Sequence, residues 1–325
     1  MQRRTLIQAA GSALVTLAAP RVLAEDWPSA PVRLIVGFPP GGGTDALARV
    51  IAQKLTVMWG QTVIVETKAG VAGVLAADYV ATQPGDGSIL LMAHINSHGL
   101  APSLQPKLRY NVERDFVPIV MVGITPNLLI ANPNEKALTL PDIVARCKAE
   151  PGRVSFGSAG QGSAQHMALE MFKLRAKIDA LHVPYKGSGP LLTDLIGGQI
   201  DYSFETMTAA TPHVKGGKVV AIAQTRLKRA KGHPTVPTMQ ELGYPGFEAT
   251  TWYGLVAPAK LPNAIADKIN RDVNTILAMP DVQERMDTYG AEDGGGSREK
   301  FRAFIASEIA KWAQVVKEGN VKVDS

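Results

Sequence analysis

Cysteine is almost missing from this chain. Cys147 is the single one in 325 residues, so no intrachain disulfide forms and a disulfide-stapled scaffold is excluded. A lone thiol is compatible with an oxidising compartment, and its plainest reading is a small buried hydrophobe. An excess of one charge is missing too. The 34 Lys and Arg face 29 Asp and Glu, and Arg3, Arg4 and Arg21 fall within the first 24 positions, which hold no acid. The remainder, 31 basic against 29 acidic groups, has no Lys/Arg stripe and no interleaved aromatics, so the electrostatic footprint of a nucleic-acid binder is absent.

Several catalytic signatures are absent as well. Gly41-Gly42-Gly43-Thr44-Asp45 lacks the Gly-Lys-Ser/Thr ending of a phosphate-binding loop, and Ala46 stands at the third glycine of the dinucleotide fingerprint. Neither Ser158 nor Ser163 sits in a G-x-S-x-G elbow, and no H-E-x-x-H occurs. His94 and His98 are four apart, but no third metal ligand stands near them, and two polar residues following a strand is the better reading. No cofactor and no metal is expected.

With 46% hydrophobic and 19% charged residues, the chain has the composition of a globular protein long enough for two domains. Its start reads as an export signal: Arg3 and Arg4, an apolar run from Leu6 to Ala19, then Val22-Leu23-Ala24, with cleavage expected after Ala24. The run is shorter than the roughly 20 residues that span a bilayer, although a retained anchor is the alternative. The paired arginines also resemble a twin-arginine signal, so export by either the general or the twin-arginine route fits.

Short apolar runs at Arg33–Phe38, Thr62–Glu66 and Ile89–Ala93 alternate with helices from Thr44 and near Val74–Ala81, the rhythm of βαβ units. A second set of strands is expected at Leu128–Ala131, Val154–Ser158, Ala180–Pro184, Ile200–Phe204 and Val219–Gln224, with helices between them. Thr139-Leu140-Pro141-Asp142 has the pattern of a capping box, in which each side chain takes a free backbone N–H. One more strand, Trp252–Pro258, precedes three closing helices, the last with Phe301, Ile305, Ile309, Trp312 and Val316 on one core face. Asp86, within Pro84-Gly85-Asp86-Gly87, is expected to make a turn.

One repetition is more informative than these elements. Arg33–Phe38 runs through Pro39, Pro40, Gly41, Gly42 and Gly43 to Thr44 and a helix, and Arg153–Ser158 runs through Ala159, Gly160, Gln161 and Gly162 to Ser163 and a helix. In each, glycines admit close backbone approach, and free N–H groups at a helix start favour an anion. Two such ends facing one cleft hold a carboxylate without a lysine; the alternative is that Thr44 and Ser163 are ordinary N-caps. Glu205, directly after the strand Ile200–Phe204, is either a ligand contact or a cap.

The chain closely resembles the Bug family, substrate-binding components of tripartite tricarboxylate transporters, from about Trp27 to Val316. The resemblance is carried by Pro31–Asp45, Gly157–Ser163 with Gln165-His166, His182–Gly187, Leu192–Gly198, Pro237-Thr238 and Trp252–Leu255. It implies an α/β, two-lobed periplasmic binding protein of type II-like form, each lobe a sheet flanked by helices, with the ligand cleft between them. The lobes implied are 25–122 plus 251–325 and 123–250, after a leader at 1–24, with hinges near Gly123–Pro126 and Glu248–Trp252.

By the same resemblance the pocket maps to Phe38, Gly42, Gly43, Thr44 and Asp45, to Ser158, Ala159, Gly160, Ser163 and His166, and to Glu205 with Thr206. His94 and Asn96 stand where relatives more often carry small residues, and Glu205 where they usually carry Asp. An anion at Glu205 favours a ligand presenting a hydroxyl or ammonium donor, unless that carboxyl is protonated or bridged by water. The expected partners are a small organic carboxylate and integral-membrane permease subunits, with no nucleic acid and with a monomer as the default. The alternatives are a sensor serving a membrane kinase, or an exported enzyme with Glu205 as base and His166 or His94 as acid.

Overall fold

The computed structural model describes residues 27–318, with the side chain of Glu318 excepted; the leader at 1–24 lies outside them. The first apolar run becomes strand β1 (Val32–Val36), and the glycine loop leads into helix α1 (Gly43–Trp59). Leu47, Val50, Ile51 and Leu55 of α1 are buried while Arg49 and Gln53 are exposed, as spacings of three and four require for one face on a sheet. Strand β2 (Val63–Thr67), helix α2 (Val74–Ala81) and strand β3 (Ile89–His94) complete the unit. Both β2 and β3 pair in parallel with β1. Asp86 makes the turn before β3 by accepting the Ser88 N–H at 2.9 Å.

Past β3 the backbone widens into a π-turn (Asn96–Leu100), and two single-turn helices follow, α3 (Ala101–Leu104) and α4 (Val112–Asp115). Strand β4 then runs 16 residues, Phe116–Ala131, of which the sequence pattern marks only the last four. Pro118 and Pro126 hide the rest, because proline cannot donate to a ladder. The strand accommodates Pro118 with a register shift between Pro118 and Val120.

The second set follows as α5 (Leu140–Ala149), β5 (Ser155–Ser158), α6 (Ala164–Ala176), β6 (Leu181–Pro184), α7 (Ser188–Ile196), β7 (Tyr202–Thr206), α8 (Met207–Lys215) and β8 (Val220–Gln224). Strand β9 (Thr250–Pro258) and helices α9 (Asn263–Leu277), α10 (Pro280–Tyr289) and α11 (Arg298–Glu318) close it. Thr139 caps α5 by accepting the Asp142 N–H, but the reciprocal half of the expected box differs: the Asp142 carboxylate accepts the Thr139 hydroxyl instead of a backbone N–H.

The strand order is β2-β1-β3-β9-β4-β7-β5-β6, with β8 also on β4. Strand β4 belongs to both halves. From Phe116 to Pro126 it pairs with β9, and from Asn127 onward it pairs with β7, joined on its other side by β8. The exchange is pinned at Asn127, whose N–H donates to Thr225 Oγ1 at 2.9 Å and whose amide donates to Ala249 O at 2.8 Å. Parallel strands thus lie in both halves, and their carboxyl ends, where open α/β sheets keep ligands, are the loops after β1, β3, β5 and β7.

Alternation of side chains sorts the cores. Leu34 and Val36 pack toward α1 and α9, Ile35 toward α2 and α11. In the other half Phe156 packs with α5 and α6, and Leu128 and Ile130 pack with α7 and α8. Cys147 is a buried hydrophobe in the α5 layer. On α11, Phe301, Ile305 and Trp312 are buried, with Ile309 and Val316 partly so. Gly254 lets α11 approach β9, since a Cβ there would lie 2.1 Å from the Phe301 ring. Among the described residues no helix is long and apolar enough to cross a membrane.

Candidate functional site

The loop after β1 ends in a helix start that no side chain caps. Gly42 is the N-cap of α1, with φ −89° and ψ 170°. The first backbone bond runs from Ala46 N–H to Gly42 O at 3.1 Å, which leaves the N–H groups of Gly43, Thr44 and Asp45 without an acceptor among the described residues. Thr44 is therefore not the cap; it is the second residue of the helix and lines a small chamber with Gly42 and Gly43. Only glycine fits at 43, where a Cβ would lie 2.6 Å from the Tyr253 hydroxyl and 3.0 Å from Thr208 Cβ. The Asp45 carboxylate is engaged elsewhere, with Arg49 at 2.9 Å and the Gly41 N–H at 3.4 Å.

The loop after β5 is built from the same residue types and ends differently. Ser163 is the N-cap of α6 and accepts the His166 N–H at 3.2 Å. His166 Nδ1 accepts the Gly162 N–H at 3.1 Å. Asn96, arriving from the π-turn after β3, accepts the Ala164 N–H through Oδ1 at 2.9 Å. Ser158 Oγ lies 2.7 Å from His182 Nε2 and donates to Gly160 O at 3.0 Å. His166 and His182 stack with centroids 3.9 Å apart; burial holds both neutral, pulling His182 down to about 3. The start of α6 is thus largely satisfied by the protein itself.

Between these loops the chamber is lined by Phe38, Gly42, Gly43, Thr44, His94, Ala159, Gln165, Ser188, Thr206 and Tyr253. Its free volume is about 10 Å³, room for roughly one water. A larger vestibule of about 760 Å³ adjoins it, with Phe38 and Ala159 common to both. The vestibule rim carries the exposed Lys107 and Lys186 and no acidic residue.

Glu205 closes the inner end, fully buried at the end of β7. Four donors converge on its Oε1: Gln165 Nε2 at 3.1 Å, Ser188 Oγ at 2.9 Å, Thr206 N–H at 2.6 Å and Thr206 Oγ1 at 3.0 Å. Its Oε2 has no partner. Burial pushes this carboxyl up, against the opposing pull of those four bonds. Asn96 Nδ2, Gln165 Oε1 and the Tyr253 hydroxyl are likewise buried without a well-formed hydrogen bond. Native proteins rarely leave such groups unmet, which makes the chamber the candidate ligand site; a fifth, His98 Nε2, lies apart from it. Burial, then the nearby Glu205 carboxyl, pushes the Tyr253 phenol up. His94, buried and drawn down to about 3, accepts the Asn96 N–H through Nδ1, so its ring proton belongs on Nε2.

Of the residues marked in the sequence, Phe38, Gly42, Gly43, Thr44, His94, Ala159 and Thr206 line the chamber, Glu205 accepts from Thr206, and the Asn96 N–H donates to His94. Gly160 lines the vestibule. Asp45, Ser158, Ser163 and His166 face their own loops through the bonds given above. Gln165, Ser188 and Tyr253 were missed, although each lies in or directly beside a stretch that carried the resemblance; they come from a helix, a second helix and a strand, and only the fold brings them together. Among the described residues no group of His, Cys, Asp and Glu is placed to hold a metal.

Residues 47–321 match the model of the tripartite tricarboxylate transporter family receptor. The chain is 40% identical over 308 residues to protein BugT of Bordetella pertussis, covering 94% of each. Among solved structures it is similar to R. palustris Rpa4515 with adipate, at 31% identity and a TM-score of 0.89, covering 91% of this chain and 99% of that one. It is also similar to periplasmic binding protein BugD, at 34% identity and a TM-score of 0.87 with the same coverage.

Proposed function

The chain belongs to the Bug family of tripartite tricarboxylate transporter receptors, and from that premise we propose that it is an exported binding protein, not an enzyme, which closes on a small organic carboxylate and passes it to membrane permease subunits. The observation that carries the reading is the open start of α1. The uncapped Gly43 and Thr44, with the positive end of the helix dipole behind them, line a chamber that holds no lysine or arginine. A carboxylate satisfies those donors without a counter-cation, and adipate, bound by the relative Rpa4515, is an acid of this class.

The proposed lobes are 25–122 with 251–325 and 123–250, hinged near Gly123–Pro126 and Glu248–Trp252. The change of partners along β4 at Asn127 supports that placement. The small volume of the chamber supports entry with the lobes apart and capture by closure, the bound acid selecting the closed form through contacts on both sides. Lys107 and Lys186 at the vestibule supply a positive rim that draws anions in. Capture rather than turnover is supported by Glu205, whose hydrogen bonds go to Gln165, Ser188 and Thr206 and not to His94 or His166. Export to the periplasm is supported by the leader pattern in the sequence, and the permease partner by the family.

Thermal unfolding tests this. The purified chain, unfolded and refolded to strip carried-over ligand, is heated with adipate, malate, amino acids and neutral sugars. A ligand at a hundredfold excess over Kd adds about 2.7 kcal/mol, a shift of several degrees. A shift with carboxylates and none with sugars is expected. No shift with any acid would overturn the reading.

A further inference from the structure

The two oxygens of Glu205 are treated unequally by the fold. An ionised carboxylate spreads its acceptor capacity over both oxygens, yet here all four donors, from α6, α7 and the β7 turn, reach Oε1 and none reaches Oε2. Bonds donated to Oε1 favour the ionised form, but the group is fully buried, and its bare Oε2 is the oxygen left to carry a hydrogen. Among the described residues no Lys or Arg lines the chamber to offset a charge there. From β9 the facing titratable group is the Tyr253 phenol; from β3 it is His94, which burial keeps neutral. From α6 it is His166, turned toward Gly162 and His182 and also kept neutral by burial. In the first turn of α1 it is Asp45, paired with Arg49. Burial acts in the same direction on Glu205 itself.

We propose that Glu205 stands in the cleft as a neutral carboxylic acid whose Oε2–H donates to an acceptor oxygen at the inner end of the ligand, so that the site selects acids with a second acceptor group over amino acids. This rests on the carboxylate reading above. It also accounts for the balance of the chamber. Asn96 Nδ2 is an unmet donor, the Tyr253 hydroxyl can donate, and His94 carries its proton on Nε2. With Glu205 Oε2–H, donors outnumber Gln165 Oε1 as the unmet acceptor. A hydroxyl, carbonyl or second carboxyl group on the ligand fits that balance, and an ammonium group, which only donates, does not. The sequence pattern, with an anion at this position, points toward an ammonium or hydroxyl donor; full burial without a lining cation, together with the bare Oε2, takes the protonated alternative.

Two measurements on the full chain test the proposal. Infrared difference spectra of ligand-free protein at neutral pH, wild type minus Glu205→Gln, should contain the C=O band of a protonated carboxylic acid. Carboxylate bands alone would overturn it, even with acid binding intact. Calorimetry with adipate, malate and 6-aminohexanoate, in which an ammonium replaces one carboxylate of adipate, gives the second reading. Wild type should bind at least one of the two acids about tenfold or more tighter than 6-aminohexanoate, and Glu205→Gln, whose amide both accepts and donates, should keep that acid within about threefold. Equal or tighter binding of 6-aminohexanoate by wild type would overturn the selectivity. Absence of binding by any probe would remove the carboxylate reading and the selectivity with it, while the infrared band still decides the proton on Glu205.

Discussion

In the first glycine loop the helix start is open: Gly42 caps α1 with no side chain, and the N–H groups of Gly43, Thr44 and Asp45 await an acceptor. In the second loop Ser163, His166 and Asn96 take the N–H groups of His166, Gly162 and Ala164. The difference lies in two positions of register. Thr44 falls inside its helix where Ser163 falls just before its own, so the threonine is turned to the chamber and the serine serves as the cap. Two loops with one sequence pattern thus divide the work. The first offers open donors to the proposed anion, and the second supplies a wall carrying Gln165.

Acid breaks both sides at once and has the largest effect. Burial draws His94, His98 and His182 down to about 3, against about 6.5 in an unfolded chain. The folded protein therefore binds fewer protons between those values. Stability from these rings is complete above about pH 6.5 and is lost as pH falls toward 3. Glu205 runs the other way, its raised value contributing stability at low pH that is lost as pH rises through it. The histidines outnumber it, so the unfolding midpoint should fall by about 10 °C or more between neutral pH and pH 4. A flat profile would show that the imidazoles are not held neutral.

Gly43→Ala separates the loops by steric means. Its methyl meets the Tyr253 hydroxyl and Thr208, and acid binding should weaken about a hundredfold. Gly162→Ala, at φ +73°, should instead cost about 1–2 kcal/mol of stability and leave affinity within a few-fold. Titration calorimetry and denaturant unfolding distinguish the two losses.

Asn96→Ala gives the smallest effect. It removes the bond from the β3 side to Ala164 N–H, worth about 1 kcal/mol, and should shift ligand-free protein toward an open form. Small-angle scattering should register a larger radius of gyration without ligand and an unchanged one with saturating acid. No change without ligand would mean that this bond does not hold the cleft closed.

Much of the fold was legible because its signals are local. The α1 and α11 stripes, the strand after each helix, the Asp86 turn and the Thr139 cap each depend on a few neighbouring residues. Strand β4 was not, since Pro118 and Pro126 interrupt a pattern that bulging and an exchange of partners restore. The π-turn left no periodic trace. In the site, Glu205 was visible from its place directly after an apolar strand, and His94 only through the family resemblance. Tyr253 was not, because Trp252 and Gly254 beside it face the α11 core and only the alternation of β9 turns it to the chamber. Nor was the inequality of the loops, which requires knowing where each helix begins.

That inequality is the centre of the account, and paired calorimetry of Thr44→Val and Ser163→Ala with adipate and malate tests it most directly. Thr44→Val should weaken acid binding by about 1–3 kcal/mol, roughly tenfold to a hundredfold, with the folded stability unchanged. Ser163→Ala should cost about 1 kcal/mol of stability and leave affinity within about threefold. Equal losses of affinity in both variants, or a loss confined to Ser163→Ala, would contradict it.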